Sequence, residues 1–452
     1  MTYEESLAYL DGLLAARQGV PRSYAPIKLE RMRRLCELLG HPERATPVVL
    51  VAGTKGKGST AAMIAAMVQA AGSRVGLYTK PHLVDIRERV RINGELITPD
   101  AFAGLIDEVR TAILRGEGGP GWPPTYFEAA AALALLDFRR RSVDLAVVEV
   151  GIGGRLDATN VADPAVSVIT TIGHDHTDIV GARLSQIAAE DAGIMRPGRI
   201  VISASQRPAA SRALREAAAA TGATLVRVGR EIRVRTLAVS AEGIRLTVRG
   251  RQHIYRDLRL PLLGRHQATN AACAIGAVEA LADCGFALRE TAVRSALAGL
   301  QWPARIEVVR SHPTVIVDVA HNTVSFQALR AALDETFPGR LLVLVLGILG
   351  DKDLAGIARI IAPRAAILIA TRPHDSRAVP PEQVAMAAQP WVPTVLVVDD
   401  PVDAIKKALA IARPDDVVCA TGSFHVAGPV RAHLVAAPLD DAAPVKTIIR
   451  AS

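Results

Sequence analysis

One junction restricts the folds open to this chain more than any other stretch. Pro47-Val-Val-Leu-Val-Ala52 is an unbroken apolar run of strand length, the mark of a strand covered on both faces. Gly53-Thr54-Lys55-Gly56-Lys57-Gly58 follows as a glycine-rich turn. A helix is then expected over residues 59–71, where Met63, Ile64, Met67 and Val68 recur at helical spacing. Strand, glycine turn and helix make a cradle for a polyphosphate, because glycines let backbone N–H groups converge and the helix N-terminus adds partial positive charge. Lys57 can reach outer phosphates, and Ser59 or Thr60 can ligate Mg²⁺. Val51 stands where the generic phosphate-loop spacing requires glycine. An ordinary glycine-rich strand-to-helix turn is the structural alternative.

At 452 residues the chain has room for two or three domains, each with its own core. The longest apolar run, residues 341–349, is too short to span a membrane. The start, Met-Thr-Tyr-Glu-Glu-Ser, lacks a signal-peptide pattern. Cys36, Cys273, Cys284 and Cys419 lie far apart without metal-type pairing, as expected of thiols in a reducing cytoplasm. A formal charge of +8 favours anionic small molecules such as nucleotides or polycarboxylates. No basic stripe interleaved with aromatics points to nucleic acid.

Residues 3–17 and 29–39 read as amphipathic helices. Strands are expected at 74–79, 145–150, 165–171 and 199–203, with helices at 99–114, 125–138, 185–195 and 208–220. Alternation of this kind implies a mainly parallel sheet with helices on both faces. Residues 224–260 switch to a period of two, which suggests a small antiparallel sheet. Helices at 267–284 and 288–300 return to the first texture. Gln301-Trp302-Pro303-Ala304 is the expected boundary between domains 1–300 and 301–452. Beyond it, strands at 315–319, 341–346, 365–370, 394–398 and 417–420 fit one Rossmann-like α/β domain.

Further polar turns follow predicted strands. Glu149-Val-Gly-Ile-Gly-Gly-Arg-Leu-Asp-Ala-Thr-Asn160 places a carboxylate at a strand's C-terminal end, where parallel sheets hold their ligands. Glu149 suits Mg²⁺ there, and Arg155, Asp157 and Asn160 can fix a polar substrate; a tight glycine turn with an Asx cap is the bland reading. In His174-Asp-His-Thr-Asp178, His176 can ligate a metal and Asp175 can orient a histidine. Asp318-Val-Ala-His-Asn322, Gly350-Asp351-Lys352-Asp353 and Gly422-Ser423-Phe424-His425 each end a strand of the second domain. Asp318 and His321 can contact a nucleotide or an attacking amine.

Taken together, these residues resemble folylpolyglutamate synthase/dihydrofolate synthase, a branch of the Mur ligase superfamily. The resemblance rests on Gly53-Thr-Lys-Gly-Lys-Gly-Ser59, Pro81-His82-Leu83, Glu88-Arg89-Val-Arg91, Thr125-Tyr126-Phe-Glu128, the turn 149–160, Asp175-His176-Thr177, His266-Gln267-x-x-Asn270, Arg305, Asp318-Val-Ala-His321-Asn322, Asp351-Lys-Asp353 and Gly422-Ser423-Phe-His425. It implies a Mur-ligase-like α/β fold: a P-loop-type ATPase domain with a small antiparallel sheet, then a C-terminal Rossmann-like domain. It also implies a reaction. ATP phosphorylates a carboxylate of dihydropteroate or a folate, and the amine of L-glutamate displaces the phosphate to form an amide.

Gly53, Thr54, Lys55, Gly56, Lys57, Gly58, Ser59, Thr60, Asn270, Arg305 and Asp318 are the ATP-binding positions this implies. Lys57, His176, Asp318 and His321 are the expected catalytic groups. Ser59 and Glu149 would hold one Mg²⁺, and His176 with Asp191 a second. Arg89, Tyr126, Arg155, Asp157, His321 and Ser423 are the expected substrate contacts. An interdomain cleft that closes on substrate, a monomer and a cytoplasmic location go with the resemblance. A Mur-type ligase for a non-folate carboxylate and a catalytically impaired nucleotide-binding paralogue are the alternatives.

Two positions depart from the family pattern. Lys80 precedes Pro81-His82 where a serine of the Mg²⁺ site is usual. Asp191 follows Glu190 where a lysine, often carbamylated, is usual. An ammonium about 4 Å from a divalent ion, at an effective dielectric near 20, is repelled by roughly 8 kcal/mol. Lys80 must therefore turn away, contact phosphate itself, or pair with a carboxylate. The two changes are expected to compensate, with Lys80 taking over part of the Mg²⁺ charge and Asp191 either keeping a second metal or binding Lys80.

Overall fold

The strand Val48–Ala52 (β1) fixes the layout of the first half of the chain. Its side chains alternate between two cores. Val48, Leu50 and Ala52 face the helices Tyr3–Ala15, Ile27–Leu38, Pro99–Arg115 and Tyr126–Arg140. Val49 and Val51 face the helices Lys57–Ala70, His266–Ala282 and Glu290–Ala298. A strand covered on both faces has no polar side to show, which is why its sequence is continuously apolar. The computed structural model describes residues 1–15, 27–116, 122–175, 177–286 and 288–436. The end of the first expected helix, residues 16 and 17, lies outside these residues. Two compact units result, Met1–Trp302 and Pro303–Ser452.

In the first unit the further strands are Val75–Tyr78 (β2), Val90–Ile92 (β3), Glu95–Leu96 (β4), Leu145–Glu149 (β5), Pro164–Ile169 (β6), Ile200–Ser203 (β7) and Thr224–Arg227 (β8). They form one eight-stranded sheet in the order β4-β3-β2-β5-β1-β6-β7-β8. The strands from β2 to β8 in that order run parallel, and β3 and β4 extend the β2 edge antiparallel. Strands Arg233–Ser240 (β9), Gly243–Arg249 (β10) and Ile254–Leu260 (β11) make a separate antiparallel sheet. Its inward residues Ile244, Leu246, Val248, Tyr255 and Leu258 join the second core.

Three differences from the sequence expectation have local causes. Residues 224–227 belong to the main sheet and not to the antiparallel one. β8 is an edge strand whose partial burial imitates alternation. The helix of the glycine junction starts at Lys57, ahead of Ser59, because left-handed Gly56 (φ 94°) completes the turn alone. The expected helix at 185–195 becomes Leu184–Asp191 and a short 3₁₀ turn, Ala192–Ile194. There Gly193 packs against the Arg155 backbone, where a Cβ has no room.

The second unit is a six-stranded sheet of Glu307–Ser311 (β12), Thr314–Val317 (β13), Leu342–Leu346 (β14), Ile367–Ala370 (β15), Thr394–Val397 (β16) and Val417–Thr421 (β17), ordered β12-β13-β17-β14-β15-β16. All neighbours are parallel except β12, an edge hairpin partner of β13 that the sequence reading passes over. No helix among the described residues is long and apolar enough to cross a membrane.

One buried ion pair ties two helices of the first unit together. Arg31 donates from Nε and Nη2 to both oxygens of Glu128, each at 2.8 Å, with both side chains nearly inaccessible. Glu128 also closes the capping box of Tyr126–Arg140, accepting from the Thr125 N–H at 2.6 Å. Removing one partner strands a buried charge, a far larger loss than the pair's net worth. Glu128→Ala is expected to destabilise the protein by about 3–5 kcal/mol. Glu128→Gln, which keeps acceptors for the cap, should lose less. Equilibrium urea unfolding of both variants checks the order.

Candidate active site

Neighbouring strands gather the polar turns. In the first sheet β2, β5, β1 and β6 lie side by side and parallel. Lys80 follows β2, Glu149 closes β5, the glycine loop follows β1, and residues 170–175 follow β6. Four turns chosen from the sequence therefore share one rim at the C-terminal ends of the strands, the place where open parallel sheets bind ligands.

The loop is braced before any ligand arrives. Thr54 and Lys55 donate their backbone N–H groups to the Thr171 carbonyl, both at 3.0 Å. The Thr54 hydroxyl donates to the Gly173 carbonyl at 3.1 Å and accepts from its N–H at 3.0 Å. Lys55 pairs with Asp175 at 2.9 Å, which ties the loop to the turn after β6. Gly53 (φ 119°) lies against Thr170, and Gly56 lies against the carboxamide of Asn270 so closely that a Cβ would overlap it. Asn270 is fixed in turn by donating to Gln267 at 2.9 Å, a partner that the sequence reading names without a role. Lys57 curls back and donates to the carbonyls of Gly53 at 2.7 Å and Thr54 at 3.4 Å. Ser59 and Thr60 are buried at the helix start, and Thr60 Oγ1 has no hydrogen-bond partner.

Glu149 is buried at the rim, and its Oε2 accepts from the Lys80 N–H at 3.0 Å. The same oxygen is 3.3 Å from where a Gly58 Cβ would stand, so the carboxylate faces the helix start that carries Ser59. A carboxylate facing the helix start that carries the Ser59 hydroxyl supplies hard oxygens of the kind that suit Mg²⁺. His176 lies outside the described residues. Asp191 is buried beside the glycine loop, with its Oδ2 unpartnered. Lys57 is its nearby cation.

The compensation expected between Lys80 and Asp191 thus takes another form: Lys80 approaches Asp157, at 3.9 Å. Asp157 also accepts from Gly151, Ile152 and Thr159, so its oxygens are engaged in holding the turn. Burial opposes its charge, but the Lys80 ammonium and the Thr159 and Ile152 donors hold its carboxyl below the usual range. Arg155 pairs with Glu190 at 2.8 Å. Asn160 is bound by the Arg155 and Gly193 carbonyls and by Arg196. Asp157 and Asn160, read as substrate contacts, are organisers of their own turn.

A second group sits near β2. Arg89 donates to His82 at 2.9 Å and lies 5.3 Å from the Tyr126 ring centroid, while its buried Nη1 has no hydrogen-bond partner. Tyr126 stacks edge-on with the exposed Phe127. An apolar wall with an unsatisfied guanidinium N–H is a ready site for an aromatic, anionic ligand.

In the second unit, β13, β17 and β14 are adjacent, and the turns after them carry Asp318–His321, Gly422–His425 and Gly350–Asp353. Asp318 Oδ1 accepts from Ala320 N–H at 2.7 Å, and Oδ2 accepts from Ile306 N–H at 3.0 Å. Burial pushes its carboxyl up, against these donors and Arg305. Ala304 (φ 53°) and Ile306 (φ 51°) are both left-handed, a costly state for a β-branched residue. Arg305, between them, is held 5.4 Å from the Phe424 ring centroid, and the His321 ring lies 6.1 Å from that ring. His321 Nδ1 bonds the Val319 carbonyl at 2.9 Å, which directs Nε2 away from the backbone. Ser423 is buried and accepts from the His425 N–H at 3.0 Å, and Asp353 caps the helix Leu354–Ile361. Phe424, the platform for Arg305 and His321, has no role in the sequence reading; its place between Ser423 and His425 in a strand-end motif is the signal that marks it.

Comparison with known proteins agrees with this arrangement. Residues 51–278 match the Mur ligase middle domain, and residues 304–424 match the Mur ligase glutamate ligase domain. The dihydrofolate synthase/folylpolyglutamate synthase of Mycobacterium tuberculosis is 37% identical over 400 residues, 85% of this chain and 81% of that protein. This chain belongs to the folylpolyglutamate synthase/dihydrofolate synthase family of Mur ligases. The folylpolyglutamate synthase of Lacticaseibacillus casei is 33% identical, covering 96% of this chain and 99% of its own. Among solved structures, M. tuberculosis folylpolyglutamate synthase complexed with ADP aligns at TM-score 0.87 with 35% identity, over 96% of this chain and 99% of that one. Escherichia coli FolC in complex with DHPP and ADP aligns at 0.85 with 30% identity, over 96% and 98%.

Within this Mur ligase family member, Asp191 has a pH signature of its own. Burial pushes its carboxyl up from 3.8 to about 7, with Lys57 pulling the other way. Between those values the folded protein holds a proton that the unfolded chain has lost. Stability from this group therefore falls as pH rises, and the penalty is complete above about 7. In metal-free protein, Asp191→Asn should stabilise at pH 8 by on the order of 4 kcal/mol at most. The gain should shrink steadily toward pH 4. Thermal unfolding midpoints of both proteins across this range give the difference.

Proposed function

We propose that this chain is an ATP-dependent ligase that joins L-glutamate to a carboxylate of dihydropteroate or a folate through an acyl phosphate. The observation that carries the reading is the shared rim of β2, β5, β1 and β6, where the braced glycine loop faces Glu149. The family relationship and the ADP and AMPPCP complexes of its structural relatives agree with it.

The loop Gly53–Thr60 binds the triphosphate with its backbone N–H groups, and Lys57 exchanges two carbonyls for phosphate oxygens. Asn270, against Gly56, sets the nucleotide side of the loop. Ser59 and Glu149 would hold Mg²⁺, which would supply neutralisation of the phosphate charge. Catalysis of this kind is mostly positioning and electrostatics. Arg89, Tyr126 and Phe127 hold the pterin-bearing acceptor. Asp318, His321, Arg305 and Ser423 of the second unit serve nucleotide and glutamate. Residues 1–300 act as the ATP-binding domain and residues 301–452 as the ligase domain. A monomer in the cytoplasm completes the proposal.

The decisive experiment measures ADP release with Mg²⁺ and L-glutamate, with dihydropteroate, tetrahydrofolate or no acceptor, and reads product mass. Turnover that requires both glutamate and a pterin, with one glutamyl unit added per ADP, is expected. ATP binding without pterin-dependent turnover would refute the folate assignment. Lys57→Ala should lower kcat by on the order of 100-fold or more. Arg89→Ala should raise the KM for the pterin by roughly 10-fold and leave the KM for ATP in place.

A further inference from the structure

Lys80 is built into the rim and does not hang from it. Its backbone N–H donates to Glu149 Oε2 at 3.0 Å, so its Cα is pinned beside the carboxylate that faces the helix start. Its side chain is 12% exposed, as is that of Asp157, and its Nζ is 3.9 Å from Asp157 Oδ1. The ring of Tyr78, the last residue of β2, lies 5.1 Å from the same ammonium. Gly151 leaves the room for this arrangement. A Cβ there would be 3.1 Å from Lys80 Nζ and 2.8 Å from Asp157 Oδ2. An aromatic face, a turn carboxylate and a missing side chain together hold one cation within a lysine's reach of Glu149.

We infer that Lys80 is a resident cation of the phosphate site, one that fills by covalent attachment the place of a divalent ion. The nucleotide-loaded chain then takes up one Mg²⁺, at Glu149 and Ser59, and no second ion on the Asp157 side. This rests on the nucleotide reading above and specifies its metal count. The physics is charge exclusion. A divalent ion brought to about 4 Å from an ammonium, with little water between them, is weakened by roughly 10³-fold or more. Lys80 in return offers phosphate a positive charge that does not depend on free metal concentration.

The test counts Mn²⁺ bound to the full chain at saturating AMPPCP, by equilibrium dialysis with electron paramagnetic resonance of free Mn²⁺. Wild type and Lys80→Arg are expected to bind one Mn²⁺ per nucleotide-loaded chain. Lys80→Ala is expected to bind two, the second at least 10-fold more tightly than any second ion in wild type. Lys80→Gln keeps the length of the side chain without its charge and should also gain the second ion. It carries the test if the alanine variant does not unfold cooperatively. Two ions in wild type, or one in both neutral variants, overturns the inference and leaves the ligase reading standing. Failure of wild type to bind AMPPCP overturns both.

Discussion

Parallel hydrogen bonding between β5, β1 and β6 is the constraint on which the site depends. It fixes the register Val51 opposite Glu149, and Ala52 opposite Ile169. Residues distant in sequence thereby arrive at one rim with nothing left for the loops to decide. A slip of one residue would turn Val48 and Leu50 out of one core and into the other, and would lift Glu149 away from the helix start. The two apolar cores on the sheet's faces therefore do positional work for the polar site at its rim.

Bracing follows the same economy. The glycine loop is held by the end of β6 through Thr54, Lys55 and Thr171, and by the helix His266–Ala282 through Asn270. Little of it has to be ordered when a nucleotide binds, so less binding energy goes to conformational entropy. Lys57 and Asp191 are the exceptions. One is satisfied by carbonyls that it can leave, and the other is buried with an empty oxygen. Both are set to respond to the ligand.

Much of this was legible in the residues. The glycine loop, Glu149 at its strand end, the antiparallel insertion and the alternating second unit all announce themselves through periodicity and breakers. Asp157 and Asn160 show why such a turn reads two ways: the residue types that bind polar substrates are the same ones that tie a glycine turn to itself. β3, β4 and β12 are short or exposed edge strands, paired by backbone with little apolar signature. The partners of Lys80 and Asp191 were out of reach, because each is met by a residue on another strand or loop. Pattern alone shows that a charge is present and not which charge answers it.

The left-handed pair Ala304 and Ile306 gives Asp318 two duties. One oxygen holds the turn after β13 through the Ala320 N–H, and the other holds the Ile306 N–H that keeps Arg305 in place. A change at residue 318 is thus also a change in the backbone at residue 306 and in the aim of the guanidinium between its two strained neighbours. In evolutionary terms the four residues form one inheritable unit. A substrate preference that required a different group at 318 would be reached only through sequences that first gave glycine or asparagine to 304 and 306, and so relieved the strain before the strut was withdrawn.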